Sequence, residues 1–226
     1  MLPGLTIGVP LNIYQQLFTT NHYGYNIIEL KDVILQFSIG YYIYGNDRYN
    51  DYKEDIPIPD NKLELYNEIQ KNELLIKRSL DLSLYISFII LLQNPLLNFP
   101  FIGLIGLCNQ YKLWKPYVGI YKPLVISILW TCSCVIMPCV LHDHNYEIIK
   151  HSEDYIPCVL TLCSTSNYAD IKDIQDDINN DVSTFPVIFG KQTTIYVSIC
   201  ILCLSSFILE NRDLLSYNII QLQNIS

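Results

Sequence analysis

Asp170-Ile-Lys-Asp-Ile-Gln-Asp-Asp177 closes an apolar stretch, Tyr155 to Ala169. Its carboxylates Asp170, Asp173 and Asp177 are spaced i, i+3, i+7, which on an α-helix puts all three on one face. Like charges stacked this way repel one another. A hard divalent cation such as Mg²⁺ removes the conflict, since it takes carboxylate oxygens and shares its shell with substrate phosphates. A second triplet lies far upstream: Asp47, Asp51 and Asp55, spaced i, i+4, i+8, within Asn46-Asp-Arg-Tyr-Asn-Asp-Tyr-Lys-Glu-Asp55. It follows another apolar run, Val33 to Tyr44. Two Asp triplets, each ending a hydrophobic helix, point to a metal-bridged diphosphate site at a membrane face.

Outward from these motifs, length and apolarity pick out candidate membrane spans at Ile27–Tyr44, Leu80–Gln93, Leu96–Tyr111, Pro123–Leu141, Tyr155–Ala169 and Thr193–Leu209. Leu5 to Phe18 is apolar but short and is interrupted by Pro10. Residues 210–226 are too short and too polar to cross. The fold class expected is therefore all-α, a polytopic transmembrane helical bundle of six to seven spans. It forms a single domain over 1–226 with its core at 27–209. Pro100, Gly103 and Gly106 predict close helix packing in the third span. Between spans, Ile56-Pro-Ile-Pro59 breaks the chain, and Lys62 to Arg78 reads as a solvated loop or amphipathic helix. Lys112 to Lys122 reads as a short basic and aromatic loop, and His142 to Asp154 as a polar one.

The charge distribution sets an orientation. If the spans alternate, the loops 46–79, 112–122 and 170–192 share one side, and they hold eleven of the fourteen basic residues. Lys31, Lys150 and Arg212 remain on the other. By the positive-inside rule the eleven mark the cytoplasmic-type face, where both Asp triplets also fall.

Composition agrees. Half of the 226 residues are hydrophobic and 16% are charged, below the usual quarter. The net charge of −8 opposes nucleic-acid binding, which needs basic patches. The eight cysteines lie mostly in apolar runs and read as small buried residues, not a disulfide framework. Cys200-Ile-Leu-Cys203 has redox spacing but sits in a span. Met1-Leu-Pro-Gly lacks a basic n-region, so no secretory signal is expected at this start. His142, His144, His151, Glu153 and Asp154 are too loosely spaced for a metal site and read as a solvated loop.

The second motif, followed by Ser183-Thr-Phe-Pro-Val-Ile-Phe-Gly190-Lys191, resembles the corresponding stretch of the UbiA superfamily of intramembrane aromatic prenyltransferases. The first motif is similar to that family's N/D-x-x-x-D-x-x-x-D. Tyr111-Lys-Leu-Trp-Lys115 is similar to its Tyr-x-x-x-Lys element, and Lys122-Pro-Leu-Val-Ile-Ser to the span that follows it. The likeness covers roughly residues 33–209. It implies an all-helical membrane fold around a central cavity, in which two Mg²⁺ ions bridge Asp47, Asp51, Asp55, Asp170, Asp173 and Asp177 to an isoprenyl diphosphate. Lys115 carries over as a diphosphate contact and Tyr111 as a residue near the reacting allylic carbon. Arg48, Lys53, Lys172 and Lys191 are further candidate diphosphate contacts, first among them Lys191, which closes the second motif.

The function expected is Mg²⁺-dependent transfer of an isoprenyl group from its diphosphate to a lipophilic, aromatic acceptor in the membrane lipid. The family usually has about nine spans, and the shorter count here leaves an alternative: a non-catalytic homologue that binds prenyl diphosphate or lipid as a membrane scaffold. A soluble isoprenyl diphosphate synthase also pairs Asp-rich motifs, but hydropathy and the eleven-to-three charge split oppose it.

Overall fold

The computed structural model describes residues 29–54, 58, 62–143, 149, 152–179 and 181–210, and the elements in them are all helical. The expectations for residues 1–26, Asp55, His144, His151 and residues 211–226 lie outside the described residues. The chain falls into two units, Met1–Gln110 and Tyr111–Ser226.

The first unit holds α1 (Leu30–Glu54), α2 (Leu63–Lys71), α3 (Glu73–Leu91) and α4 (Pro95–Asn109). In α1, Leu35, Ile39 and Tyr42 recur at helical spacing and are buried. Asp32, in its first turn, accepts a hydrogen bond from the Glu29 backbone N–H at 3.1 Å, where a carboxylate suits the helix dipole. Asn72 separates α2 from α3. The sequence predicts a span beginning near Leu80, with a solvated segment before it. The structure instead runs α3 unbroken from Glu73 to Leu91. The reason is a face: Ile76, Leu80, Ser87 and Leu91 are buried, while Lys77, Arg78 and Asp81 sit outside on the same helix. Tyr41 and Ser79 hydroxyls, 2.6 Å apart, tie α3 to α1. The Asn94-Pro95 boundary holds. Pro95 opens α4, and the Asn98 amide donates to the Leu91 carbonyl at 2.8 Å. The close packing predicted at Gly103 and Gly106 does not occur among the described residues. A Cβ at either would meet nothing within 4 Å, because α4 turns Asn98, Phe101 and Ile105 inward instead.

The second unit holds α5 (Tyr111–Val118), a 3₁₀ turn (Gly119–Tyr121), α6 (Lys122–Thr131), a π-helical segment (Cys132–Ile136) and α7 (Met137–Asp143). After these come α8 (Ser152–Ala169), a second 3₁₀ turn (Asp170–Asp173), α9 (Ile174–Asn179) and α10 (Phe185–Glu210). The stretch read as a basic loop, Lys112 to Lys122, is helical. Tyr111 and Trp114, one turn apart, stack edge to face with centroids 4.8 Å apart. The motif at Asp170–Asp177 does not sit on one regular helix: the backbone tightens to 3₁₀ at Asp170–Asp173 and reopens at Ile174. In a 3₁₀ turn residues i and i+3 eclipse, so the tightening keeps Asp170 and Asp173 in line, and Asp170 and Asp177 both approach Lys122.

Among the described residues, two helical stretches are long and apolar enough to cross a membrane: Leu113–His142, of 30 residues, and Phe185–Glu210, of 26. Pro95–Asn109 is apolar but shorter, at 15 residues. Tyr196 and Phe207 on α10 are each 60% exposed, an arrangement suited to lipid. On its covered side α10 meets α8 through a polar ladder. Ser205 donates to the Pro157 carbonyl at 2.8 Å and Ser164 to the Ser198 carbonyl at 2.7 Å, and the Asn167 amide donates to Ser198 Oγ at 3.2 Å. Interhelical bonds of this kind hold helices together where lipid removes the hydrophobic drive. All eight cysteines are free thiols.

Candidate functional site

The second motif folds into a buried ionic cluster. Asp170, in the turn that ends α8, is 5% exposed, and Asp177, on α9, is 1% exposed. Lys122, the first residue of α6, places its Nζ 2.6 Å from Asp170 Oδ1 and 3.9 Å from Asp177 Oδ2. Lys115, one helix earlier, places its Nζ 3.0 Å from Asp177 Oδ1. Thr184 donates from Oγ1 to Asp177 Oδ2 at 3.0 Å. The chain returns for this contact through Asp181, at φ 55°, and the Val182 N–H donates to the Asp177 carbonyl at 2.8 Å. Aspartate tolerates the left-handed region better than most residues.

Two carboxylates thus face two ammonium groups, with Asp173 a further negative charge nearby. Burial pushes the Asp170 carboxyl above its ordinary range, and the Lys122 ammonium only partly offsets this. Asp170 Oδ2 is buried and has no hydrogen-bond partner among the described residues. The donor chemistry fits a hard divalent cation: oxygen-only ligands, one of them unsatisfied. The described residues nevertheless contain no group of three or more His, Cys, Asp or Glu placed to hold a metal ion. A cation entering here would have to take over carboxylates that now pair with lysine.

Of the residues the sequence singled out, Lys115, Asp170 and Asp177 come together. Asp173 lies nearby, half-buried, and contributes a repulsive charge to Asp170. Lys172 and Lys191 are exposed. Tyr111 packs against Trp114. Gly190 adopts φ 80°, ψ 162° and kinks α10 just before Lys191. Lys122 and Thr184 belong to the cluster and were missed as site residues. Lys122 reads in the sequence as the end of a basic loop, and lysines at the edge of an apolar run normally snorkel to solvent. The available signal was its position directly before Pro123, which makes it the first residue of a helix and fixes its direction.

Gly119 holds this geometry. It has φ +47°, and a Cβ there would lie 3.3 Å from the Ser183 carbonyl oxygen. Gly119→Ala therefore meets both backbone strain and a backbone contact that cannot swing away, next to the segments bearing Lys122 and Thr184. A destabilisation of about 1–3 kcal/mol is expected, measured as a lower unfolding midpoint in detergent; an unchanged midpoint would remove the close approach.

The first motif lies in the other unit. Asp47 and Asp51 sit half-buried on α1. Asp51 Oδ2 is 3.4 Å from the Arg48 guanidinium and 3.9 Å from Lys62 Nζ. Lys53 points elsewhere. Its Nζ is 2.5 Å from Glu73 and lies over the rings of Tyr49 and Tyr52, 5.6 and 5.1 Å from their centroids. Hydrogen bonds from Lys53 and then Tyr49 hold the Glu73 carboxyl below its usual range. Lys53 is thus part of the α1–α3 contact.

No protein-family model matches the chain, and no curated protein or solved structure matches it.

Proposed function

We propose that this chain is an enzyme of the UbiA prenyltransferase type. It moves an isoprenyl group from a diphosphate to a lipophilic, aromatic acceptor within a membrane. The observation that carries the proposal is the cluster in which buried Lys122, Asp170 and Asp177 meet half-buried Lys115, all within the resembling stretches. A buried ion pair contributes little net stability against an apolar replacement. Charged groups gathered in a desolvated setting are instead what a reaction with a departing anion requires. The reading extends to six to seven spans around a cavity, with the motifs on the cytoplasmic-type face.

In this reading Lys115 and Lys122 supply fixed positive charge to the diphosphate, and the exposed Lys172 and Lys191 of the same unit add to it. Mg²⁺, held through Asp47, Asp51, Asp55, Asp170, Asp173 and Asp177, would neutralise the leaving diphosphate. The apolar helices exclude water from the allylic cation, and Tyr111 offers it an aromatic face. The acceptor ring then attacks.

A second reading keeps the binding and drops the turnover. It is favoured by the lysines themselves, which already pair with Asp170 and Asp177. One assay separates the two. Detergent-purified protein is given geranylgeranyl or longer prenyl diphosphates, Mg²⁺ and a panel of aromatic acceptors, and pyrophosphate is measured. Release that needs both Mg²⁺ and an acceptor is expected. Diphosphate binding with no release under any acceptor would leave the non-catalytic homologue.

A further inference from the structure

We infer that residues 182–189 form a hinged cover over the ionic cluster, with Asp181 and Gly190 as its hinges and Thr184 as its latch. It rests on the reading above in one respect: a ligand must reach the cluster. Lys122, Asp170 and Asp177 are 7%, 5% and 1% exposed, so an element has to move before one can. The long helices are poor candidates. α6 packs along α8, and α8 is bonded to α10 at Pro157, Ser164 and Asn167. Residues 182–189 are held differently. Among the described residues, positive φ occurs at Gly119, Asp181 and Gly190, and the last two bracket this segment. Gly190, at φ 80° and ψ 162°, lies in a region open to glycine alone. Hinges are a few such element-terminal residues that absorb the backbone change. Between them the segment is braced as one piece. The Phe185 and Phe189 rings lie 4.6 Å apart, and the Ile188 N–H donates to the Thr184 carbonyl at 3.1 Å. Val182, Thr184 and Pro186 are buried beneath it, while Ile188 and Phe189 are exposed above. Two hydrogen bonds hold it closed, and both end on Asp177. Thr184 Oγ1 donates to Oδ2 at 3.0 Å, and the Val182 N–H donates to the carbonyl at 2.8 Å. Whatever engages Asp177 Oδ2 competes with Thr184 for it, so occupancy of the cluster and position of the cover are linked.

The test measures how fast an amine-acylating reagent reaches Lys122 in the full-length protein in detergent, read by mass spectrometry, with exposed Lys191 as the reference. Thr184→Val keeps the volume and removes the hydroxyl. It is expected to raise Lys122 acylation about tenfold, the weight of a hydrogen bond to a charged group. Amide hydrogen exchange should rise over residues 182–189 and hold the wild-type rate over residues 194–205. Thr184→Ser restores the hydroxyl and should return both readings to wild type. Gly190→Ala is the second variant and serves if Thr184→Val does not fold. Its Cβ would meet nothing within 4 Å, so it acts through the backbone alone. Alanine disfavours φ 80°, which strains the closed position, so Lys122 acylation should rise here too. Lys122 acylation unchanged in both variants would overturn the cover. So would exchange that rises equally along the whole of α10, which marks a general loosening. The proposed reaction is judged separately. A cover that opens, with no pyrophosphate released from any prenyl diphosphate, retains the inference and removes the transferase. Release from a protein whose variants leave Lys122 protected does the reverse.

Discussion

Lys122→Met is expected to cost the folded chain about 3–5 kcal/mol, the cost of leaving one partner of a buried ion pair unpaired. The Lys122 and Asp170 side chains are only 9% and 6% exposed, so water cannot replace the lost ammonium. Burial already pushes the Asp170 carboxyl up, and removing Lys122 removes the main opposing influence. Asp177 suffers less, because Lys115 and Thr184 remain on it. The double variant Lys122→Met/Asp170→Leu should recover most of the loss, since two apolar groups fill the space without a stranded charge. Unfolding of the four proteins in one detergent gives the double-mutant cycle. A cost below about 1 kcal/mol for Lys122→Met would place the pair at a wetted surface and remove the buried cluster on which the functional proposal stands.

Asp173→Ala is expected to lower pyrophosphate release about 10²–10³-fold, the usual loss when one electrostatic stabiliser of a developing anion is removed. It should leave the unfolding midpoint within about 0.5 kcal/mol of wild type. Asp173 is half-buried, and its carboxylate is not among those that Lys115 and Lys122 hold. Spacing alone makes Asp173 and Asp177 equivalent and predicts that alanine at either position spares the fold. The structure separates them. Asp177 is 1% exposed, pairs with Lys115 and accepts a hydrogen bond from Thr184, so Asp177→Ala would lose folding and turnover together. Only Asp173 reads chemistry without reading stability. Wild-type release from Asp173→Ala would take this carboxylate out of the site.

The sequence made some of this arrangement legible. The apolar runs named every long helix within the described residues, and Asn94-Pro95 marked a true boundary. The Asp spacing directed attention to the motif that the structure buries. Lys62 to Arg78 reads as a solvated loop or amphipathic helix, and Lys77 and Arg78 are exposed on α3. One misreading is Lys112 to Lys122, which is helix where loop was expected. Gly103 and Gly106 misled in the opposite sense, because a small residue permits close approach without requiring it.

What the sequence determined by itself is the helical class, the apolar runs Pro123–Leu141 and Thr193–Leu209 inside the two stretches long and apolar enough to cross a membrane, and the presence of acidic motifs at helix ends. These follow from periodicity, length and residue type, which are local properties of the chain. Which carboxylates are buried, and by what they are neutralised, only the tertiary structure decided. Lys122 and Asp170 are 48 residues apart, and their 2.6 Å contact exists because α6 packs beside α8 and the backbone tightens to 3₁₀ at Asp170. Spacing fixes direction along one helix, whereas pairing between helices depends on how they pack, and no stretch of sequence carries that alone.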